Sequence, residues 1–530
     1  MKKNLLFGIL MFAVTILVAQ PSIDNAFFDK VNFRGAFGTT NWTAGWANFD
    51  PQNATYGAIT STIAAGNITT NTTWTKNNVY LLNGWVYVKD GATLTIEAGT
   101  VIRGDKTNKG ALIIEKGAKL IANGTVTEPI VFTSNQAAGS RTYGDWGGVI
   151  ICGKAPINVT GGSGTIEGGV GSTYGGTDAA DNSGSLQYVR IEFPGIAFVT
   201  NSEINGLTLG GVGSGTTLDN IQVSYSGDDS FEWFGGAVNA KHLIALRGWD
   251  DDFDTDFGYS GMVQYAVSLR DPAVADQSQS NGFESDNDGT GSTNSPYTSA
   301  IFSNVSSFGP LSTPSVTPNA LYRRAAHIRR NSKLQVYNTV FAGWPTGLYI
   351  DGNTTQANAV NGDLKVRNSV IAGMTTSIDV PASQTWDKAA AEAWYNTVSF
   401  KNAVFAANAD LGVTDAFNLT APKFYLTALS VLNSGSYWNA PTSIFTPKSN
   451  TVNSLKIYPN PASTEIMVEL PEFNGVTSIE VRDLTGKLLL SKNAISMEKE
   501  IINVSQLRKG MYIMVAHQGE TSYNQKLTIR

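Results

Sequence analysis

Short runs of alternating apolar and polar residues, each followed by a glycine, recur along the chain and are most regular between Val86 and Thr133. Apolar residues stand at the first and third positions of a run, as at Val86 and Val88, and a glycine follows, as at Gly91. Alternation with a period of two predicts strands with one buried face. The glycine predicts a corner, because glycine adopts positive φ freely.

Equivalent runs also recur at longer spacing. Matching runs begin at Val86 and Leu112, at Leu186 and Leu218, and at Leu334 and Leu364. These spacings of 26, 32 and 30 residues suit one turn of short strands and corners. Internal repeats of this kind are typical of a parallel β-helix, and the preferred hand of parallel crossovers predicts right-handed winding. An antiparallel sandwich with glycine turns is the alternative.

Changes in composition divide the chain into segments. Residues 1–19 have a basic start and an apolar run too short to span a membrane, which is typical of a signal peptide. Residues 20–78 are rich in aromatic side chains and are interpreted as an N-terminal cap over the first coil, with an aromatic platform for sugar as the alternative. Residues 79–439 form the predicted β-helix with loop insertions, and residues 440–454 a polar linker. We therefore expect an exported protein without a transmembrane segment in its mature chain.

The overall composition fits an exported β protein and limits its chemistry. The 530 residues include 54 glycines, and only 15% are charged. A net charge of −6 argues against nucleic acid as a partner. Cys152, the single cysteine, stands in an apolar run, so we expect a buried thiol and no intrachain disulfide.

Matching acidic segments form the most distinctive chemical feature of the sequence. Asp228–Glu232 and Asp250–Asp254 lie 22 residues apart, and Gly282–Asp288 repeats the pattern less closely. Residues one turn apart stack about 4.8 Å from their counterparts, so these carboxylates are predicted to lie together. Carboxylates at that distance repel, and Ca²⁺ is one cation that would neutralise them. The candidate Ca²⁺ ligands are Asp228, Asp229, Glu232, Asp250, Asp251, Asp252 and Asp254. No other cofactor is expected.

A basic segment, Leu321–Arg330, offers a second way to neutralise the acids. Strand alternation predicts two faces, one with Arg323, His327 and Arg329 and the other with Arg324 and Arg330. Salt bridges from these arginines to acids on neighbouring coils would have a structural role.

The last part of the chain, residues 455–530, contains short predicted strands and several landmarks in a fixed order. The residues that mark them are Tyr458, Pro459, Asn460, Pro461, Gly486, Lys487, Gly510 and Tyr512, followed by a basic and apolar tail. This pattern resembles the C-terminal sorting domain of cargo for the type IX secretion system of Bacteroidetes. The resemblance implies a small β-sandwich, contact with the outer-membrane secretion machinery, and passage through the periplasm to the cell surface or the medium.

The coil region resembles the pectate-lyase-like β-helix superfamily and exported proteins of the same bacteria. The segments that carry the resemblance are Trp146–Ile150, Ser230–Gly236 and Trp249–Asp256. The resemblance implies no single activity. The predicted fold class is all-β, a right-handed parallel β-helix followed by a small C-terminal β-sandwich.

Three interpretations of the acidic and basic residues remain open. The first is a structural network of Arg–Asp salt bridges, and the second is a structural Ca²⁺ site. The third is a polysaccharide lyase or glycoside hydrolase, because lyases of the superfamily combine Ca²⁺-binding carboxylates with an Arg base, and paired carboxylates also support hydrolysis. The candidate catalytic residues are Arg323, Arg324, Asp251 and Asp254. We expect a surface protein that binds polysaccharide in an acidic groove or is structural, with a carbohydrate-active enzyme as the alternative.

Overall fold

The computed structural model describes residues 21–197, 204–438, 455–469, 477–483, 487–495, 499–518 and 521–530. The chain divides into two compact units, Met1–Ala440 and Pro441–Arg530. The predicted signal peptide (1–19) and linker (440–454) lie outside the described residues. In the described part of the chain, no helix has the length and apolar character needed to cross a membrane.

The first unit is built mainly from short strands. Before a glycine-rich insertion at residues 153–183 they are β1 Ser61–Ile68, β2 Thr72–Trp74, β3 Val79–Val88, β4 Thr93–Ile96, β5 Val101–Gly104, β6 Ala111–Ile114, β7 Lys119–Asn123, β8 Ile130–Ser134 and β9 Gly148–Cys152. A hairpin within the insertion consists of β10 Gly164–Thr165 and β11 Thr173–Tyr174. The strands that follow are β12 Gly184–Glu192, β13 Leu207–Val212, β14 Thr217–Ser224, β15 Phe231–Gly236, β16 Asn239–Leu246, β17 Phe253–Asp256, β18 Met262–Leu269, β19 Phe283–Ser285, β20 Ile301–Phe308, β21 Arg324–Ile328, β22 Gln335–Tyr337, β23 Val340–Ala342, β24 Thr346–Ile350, β25 Lys365–Arg367, β26 Val370–Ala372, β27 Thr376–Asp379, β28 Ala403–Phe405, β29 Val413–Asp415 and β30 Lys423–Leu426.

Parallel pairing joins β1–β9 and β12–β28 into one 26-stranded sheet that winds into coils. Strands one turn apart pair as predicted, with Val86 opposite Leu112. The first side of the coils is formed by β9, β13, β15, β17, β19, β21, β24 and β27. Strands β14, β16, β18 and β20 bend in the middle and supply the second and third sides. The first strand, β1, pairs with β3 and has a register shift between Ala64 and Gly66. The predicted parallel β-helix is confirmed.

One residue with positive φ forms the corner between the second and third sides on successive coils. These residues, the corner column, are Tyr188, Asn220, His242, Tyr265, Asn304, Asn338 and Asn368. Asparagine is among the residues that tolerate this backbone region best, which explains its recurrence in the repeat. In the sequence repeat Asn402 and Val404 correspond to Asn368 and Val370, which places Asn402 in this series. In the structure Val370 pairs instead with Ala403, so the last strand is shifted by one residue. Val404 therefore lies opposite the core residue Ile371 on β28, the last strand of this sheet, and is 42% exposed.

The inner faces of the first side stack aromatic rings along the coils. Phe231, Phe253 and Phe283 are fully buried and occupy equivalent positions on β15, β17 and β19. Their ring centroids lie 5.9 Å apart between Phe231 and Phe253 and 5.1 Å apart between Phe253 and Phe283. Strand alternation therefore directs the residue that follows each phenylalanine to the outer face.

The N-terminal segment differs from the predicted cap. Strands β1 and β2 belong to the first coil itself. Residues 21–57 run along the flank of the coils, where Phe37 stacks on Phe424 at 5.2 Å and Trp46 contacts Tyr188 at 5.9 Å. The aromatic rings of this segment cover apolar residues of several coils, which accounts for its position beside them.

Helices α1 (Asn353–Asn361) and α2 (Lys388–Tyr395) lie near the far end of the coils. The side chain of Asp387 caps α2 by accepting a hydrogen bond from the main chain of Ala390. Buried residues of α2 join the main core, so this helix covers part of the last coils. Short 3-10 helices are Pro51–Asn53, Val398–Phe400, Asn408–Leu411 and Val431–Asn433.

The second unit consists of antiparallel strands. They are β31 Lys456–Tyr458, β32 Glu465–Glu469, β33 Thr477–Arg482, β34 Leu488–Ile495, β35 Lys499–Asn503, β36 Gly510–Gln518 and β37 Thr521–Ile529. One sheet has the order β31-β32-β35 and the other β34-β33-β36-β37. Ile466, Val481 and Met514 from the two sheets share a core, in agreement with the predicted β-sandwich.

The structure explains why the sorting landmarks occur together. Asn460 accepts a hydrogen bond from the main chain of Thr528 at 2.8 Å and donates one to the carbonyl of Lys526 at 2.6 Å. The segment between β31 and β32 is thereby tied to β37, the last strand. Gly510 begins β36 and Tyr512 is buried in it. Gly486 lies outside the described residues.

Candidate functional site

Polar residues stand in register along the outer face of the first side. The series, here called the polar column, consists of Thr208, Glu232, Asp254, Glu284, His327, Tyr349 and Asp379. Each follows an inward-facing residue such as Phe231 or Phe253. The predicted stacking of the acidic segments is confirmed, with Glu232 opposite Asp254 and Asp254 opposite Glu284.

Five acids lie around the middle of this column and form the carboxylate cluster. They are Asp229, Glu232, Asp251, Asp254 and Asp256, and we call the outer surface that carries them the acidic face. Oxygen atoms of Asp229, Glu232 and Asp254 lie within 4.8 Å of one another. The main chain of Asp251 donates a hydrogen bond to Asp229 at 2.8 Å, and Asn281 donates to the carboxylate of Asp251. The carboxylates of Asp229, Glu232 and Asp254 therefore form one compact group of oxygen atoms at the centre of the cluster.

The carboxylate cluster has no positive partner among the described residues, where no Lys, Arg or His forms an ion pair with any of its five members. Burial raises the pKa of Asp229, Asp251 and Asp254 well above the usual range, and the neighbouring negative charges raise it further. Burial likewise raises the pKa of Glu232 and Asp256. Such a cluster holds protons more tightly than free carboxylates, or takes up another cation.

The glycine-rich insertion covers one end of the acidic face. Its residues Ile157, Ile166 and Tyr174 bury the outward side chains of Ile150 and Cys152 in a separate core. Burial raises the pKa of the Cys152 thiol to about 12, so the predicted inert thiol agrees with the structure.

Asn205 connects the insertion to the carboxylate cluster. Its side-chain amide donates to Glu167 of the insertion at 2.8 Å and also to Glu232. Thr208, one coil before Glu232, is buried and its hydroxyl has no hydrogen-bond partner, as is also true of Oδ1 of Asp254. Unpaired oxygen atoms thus border the cluster where the insertion meets it.

The basic segment neutralises acids at the other end of the column. Arg329 pairs with Glu284 and lies 3.0 Å from Asp286, and Arg330 lies 3.3 Å from Asp286. His327 lies 3.5 Å from Glu284. Burial alone would raise the pKa of Glu284, but the hydrogen bond from His327 and the charge of Arg329 lower it below the usual value. The prediction that Arg330 faces away from Arg329 is wrong, because Arg330 adopts positive φ after β21 and leaves the strand alternation.

The other arginines of the basic segment lie away from the cluster. Arg323 donates to the side chain of Gln279 at 2.9 Å and to main-chain carbonyls. The guanidinium of Arg324 lies 4.1 Å from the ring centroid of Tyr349. In the polar column Tyr349 stands two coils beyond Glu284 and three coils beyond Asp254. Within the described residues neither arginine forms an ion pair. Of the four candidate catalytic residues, the structure thus brings Asp251 and Asp254 into one cluster. Arg323 and Arg324 form no ion pair with either of them among the described residues.

A buried ion pair was not apparent from the sequence. Arg270 and Asp252 are both fully buried and lie 2.8 Å apart. Their separation of 18 residues follows no repeat of the pattern, so the sequence carries no signal for the pairing. This pair removes Asp252 from the candidate Ca²⁺ ligands. The remaining candidates form two groups of neighbouring oxygens, Asp228 with Asp229 and Asp250, and Asp229 with Glu232 and Asp254.

An exposed aromatic residue stands beside the first of these groups. Trp249, which directly precedes Asp250, is 39% exposed. Its indole nitrogen donates to the carbonyl of Ala275 at 2.9 Å, and its ring lies 5.8 Å from that of Tyr143. The ring is therefore held in place while part of it faces solvent. Exposed, anchored tryptophans are typical of surfaces that bind ligands.

Comparison with known families identifies both parts of the chain. Residues 66–412 match the family described as pectate-lyase-like β-helix domain. Residues 456–530 match the family described as secretion system C-terminal sorting domain. No curated protein sequence matches the chain.

Solved structures offer only weak similarity. An endo-β-1,4-mannanase from Thermotoga petrophila is 12% identical over 35% of this chain and 47% of its own, with a TM-score of 0.12. The chitinase ChiW from a Paenibacillus species is 9% identical over 84% of this chain and 24% of its own, with a TM-score of 0.13. Tailspike protein 2 of Escherichia coli O157:H7 bacteriophage CAB120 is 9% identical over 85% of this chain and 64% of its own, with a TM-score of 0.19. The chain thus covers less than two thirds of each, and these scores carry no argument about function.

Proposed function

This chain belongs to the pectate-lyase-like β-helix family, and we propose that it binds an extended glycan along the acidic face. Its sorting domain marks it for export by the type IX secretion system to the cell surface or the extracellular space. The observation that carries the proposal is the polar column, which presents one outward polar side chain per coil from Glu232 to Asp379. Glu232 and His327 are buried, and a polymer lying along the coil axis would meet the partly exposed members of the column, Asp254, Glu284, Tyr349 and Asp379, on coils about 4.8 Å apart.

Trp249 adds an apolar contact to this polar surface. A sugar ring has apolar faces and polar edges, so it packs on an aromatic ring while its hydroxyl groups reach neighbouring carboxylates. Trp249 and Asp250 are adjacent in the chain, and both are at least partly accessible. This combination supports a glycan better than it supports a protein partner, whose binding surfaces have few charged residues at their centre.

The carboxylate cluster fits a bound Ca²⁺. Ca²⁺ takes oxygen ligands at about 2.3–2.6 Å, so oxygens across one ion lie about 5 Å apart. Those of Asp229, Glu232 and Asp254 lie within 4.8 Å, and the unpaired Oδ1 of Asp254 is available as a ligand. Bound there, Ca²⁺ would offset the mutual repulsion of the acids and attract acidic groups of a glycan.

Affinity electrophoresis in gels containing polygalacturonate, alginate or xyloglucan tests glycan binding, with and without Ca²⁺. We expect at least one polysaccharide to slow migration, and the acidic ones to do so only with Ca²⁺. Trp249→Ala should weaken binding about tenfold, the effect of roughly 1.4 kcal/mol. Val398→Ala, at an exposed position (92%), is the matched control. Migration unchanged in all gels, or equal retardation of the Trp249→Ala and control proteins, would contradict the proposal.

Glycoside hydrolysis is a second candidate function, supported by Asp254 and Glu284. The two acids stand in register on neighbouring coils, and their pKa values shift in opposite directions. A protonated carboxyl beside an ionised one is the arrangement that glycosidases use. Release of reducing ends from the same polysaccharides, abolished by Asp254→Asn and by Glu284→Gln, would support this activity. If no polysaccharide that slows migration in the gel yields reducing ends, hydrolysis is ruled out and glycan binding remains as the proposed function.

A further inference from the structure

A separate pocket lies between the N-terminal segment and the corner column, away from the acidic face. Its volume is about 490 Å³, within the range of small-ligand sites. His242 and Tyr265 of the corner column form its floor, and Phe33 and Trp42 of the N-terminal segment form its walls. Because the corner column joins the second and third sides, this pocket and the carboxylate cluster of the first side are distinct sites.

Aromatic rings in contact with one another line this pocket. The ring of His242 stacks on that of Tyr265 at 5.0 Å with an angle of 16° between the planes. Trp42 lies 5.1 Å from His242, and Phe33 lies 6.4 Å from Tyr265. Trp42 is fixed by a hydrogen bond from its indole nitrogen to the carbonyl of Ala36 at 2.8 Å. The pocket therefore offers apolar surfaces whose positions are set before a ligand binds.

Polar groups at the edge of the pocket are equally fixed. Nδ1 of His242 lies 2.7 Å from Asp219, which orients the imidazole and leaves Nε2 for other contacts. Asp29 lines the pocket and is held by an ion pair with Lys241 at 2.8 Å, and its main-chain N–H donates a hydrogen bond to the side-chain oxygen of Gln264 at 2.8 Å. No Lys or Arg is among the described residues that line the pocket, so an anionic ligand would meet no fixed positive charge there.

We propose that this pocket binds a neutral hexose unit. The apolar faces of a pyranose match the aromatic walls. Its hydroxyl groups match the carboxylate of Asp29, the imidazole of His242 and the side-chain amides of Asn32 and Asn433, which also line the pocket. The absence of Lys and Arg from the described lining favours a neutral sugar over a uronic acid. The site requires no contribution from the acidic face, so it stands whether or not that face binds glycan. The protein would then hold two glycans on different sides of one β-helix.

The test uses the full mature protein and four probes: the methyl glycosides of glucose, galactose and mannose, and glucuronate. Binding is followed by saturation-transfer NMR and calorimetry. Thr40→Trp places a bulky ring at the exposed rim of the pocket, and His242→Gln removes the imidazole at similar size. Asp254→Asn, on the acidic face, is the matched control. Melting temperatures within a few degrees of the parent protein establish that the variants fold.

We expect at least one neutral glycoside to bind more tightly than glucuronate. Thr40→Trp should weaken that binding at least about tenfold, His242→Gln should weaken it less, and Asp254→Asn should leave it unchanged. No binding by any neutral glycoside would overturn the proposal. So would binding that Thr40→Trp leaves intact, binding lost in Asp254→Asn, or a preference for glucuronate. If Thr40→Trp does not fold, undiminished binding by His242→Gln overturns it.

Discussion

Asp254 stands directly opposite Glu284 on the next coil, yet their surroundings shift the two carboxyl pKa values in opposite directions. Asp254 is surrounded by other acids, whereas the carboxylate of Glu284 lies beside His327 and forms an ion pair with Arg329. Acids without a positively charged partner and acids with one are therefore separated by a single coil of the β-helix.

The carboxylate cluster should make the protein less stable as pH rises. Its acids have raised pKa values in the folded state, so between about pH 4 and the folded values the folded protein binds more protons than the unfolded one. For Asp250, at the margin of the cluster, burial raises the pKa to about 6. The free energy of unfolding, measured by denaturant titration without Ca²⁺, should fall from pH 5 to pH 8.

The double variant Asp229→Asn, Asp254→Asn is the control for this pH dependence. Its stability should fall less between pH 5 and pH 8 than that of the parent protein, because fewer acids release protons. Ca²⁺ at about 100 times its dissociation constant should restore roughly 2.7 kcal/mol to the parent at pH 8, and less to the variant. Parallel pH profiles for the two proteins would show that these acids titrate normally.

The aromatic stack should contribute strongly to stability. Replacing Phe231 or Phe253 with alanine removes a fully buried ring and leaves a cavity, at a cost of about 3–5 kcal/mol. Leu429→Ala, at a position 94% exposed, should change stability by less than about 0.5 kcal/mol. Thermal and denaturant unfolding provide the comparison, and losses below about 1 kcal/mol at both phenylalanines would argue against close packing here.

Removing Arg270 should destabilise the protein far more than removing Arg323. Arg270→Ala leaves the buried carboxylate of Asp252 without its partner, which costs about 3–5 kcal/mol. Arg323 makes hydrogen bonds at a partly exposed position, so Arg323→Ala should cost about 1 kcal/mol or less. Replacing both members of the buried pair, as in Arg270→Met with Asp252→Leu, should recover much of the loss. A double variant as unstable as Arg270→Ala would mean that the lost volume, rather than the charge, sets the cost.

Deleting residues 455–530 should stop export beyond the periplasm, because the sorting domain is the part that the secretion machinery recognises. The β-helix should remain folded, since the two units have separate cores. Cell fractionation with antibody detection measures this, with the full-length chain as the control. Truncated protein at the cell surface would show that another signal suffices.

The sequence predicts the repeating parts of this molecule well, because each coil repeats the same local rule. Val86 opposite Leu112 and Phe231 opposite Phe253 follow from spacing alone. The position of the N-terminal segment does not, since Phe37 and Phe424 meet across hundreds of residues without any repeat to relate them.

The sequence likewise predicts the repeated acids of the candidate site but not the partners of its arginines. Asp229, Glu232 and Asp254 meet because their segments repeat. The partners of the arginines depend on how each strand ends, and positive φ at Arg330 is not visible in a pattern of alternation. The buried pair of Arg270 and Asp252 depends on the shape of the finished coils, which no local pattern encodes.

The irregular strands at the two ends of the β-helix bear on self-association. A parallel solenoid with regular terminal strands would offer each end as a template for another molecule. Here β1 carries a shift between Ala64 and Gly66, and β28 is displaced by one residue relative to the repeat. Neither edge matches the regular hydrogen-bonding pattern of the coils between them. We therefore expect secreted molecules to resist end-to-end fibre formation even when they are crowded at a cell surface.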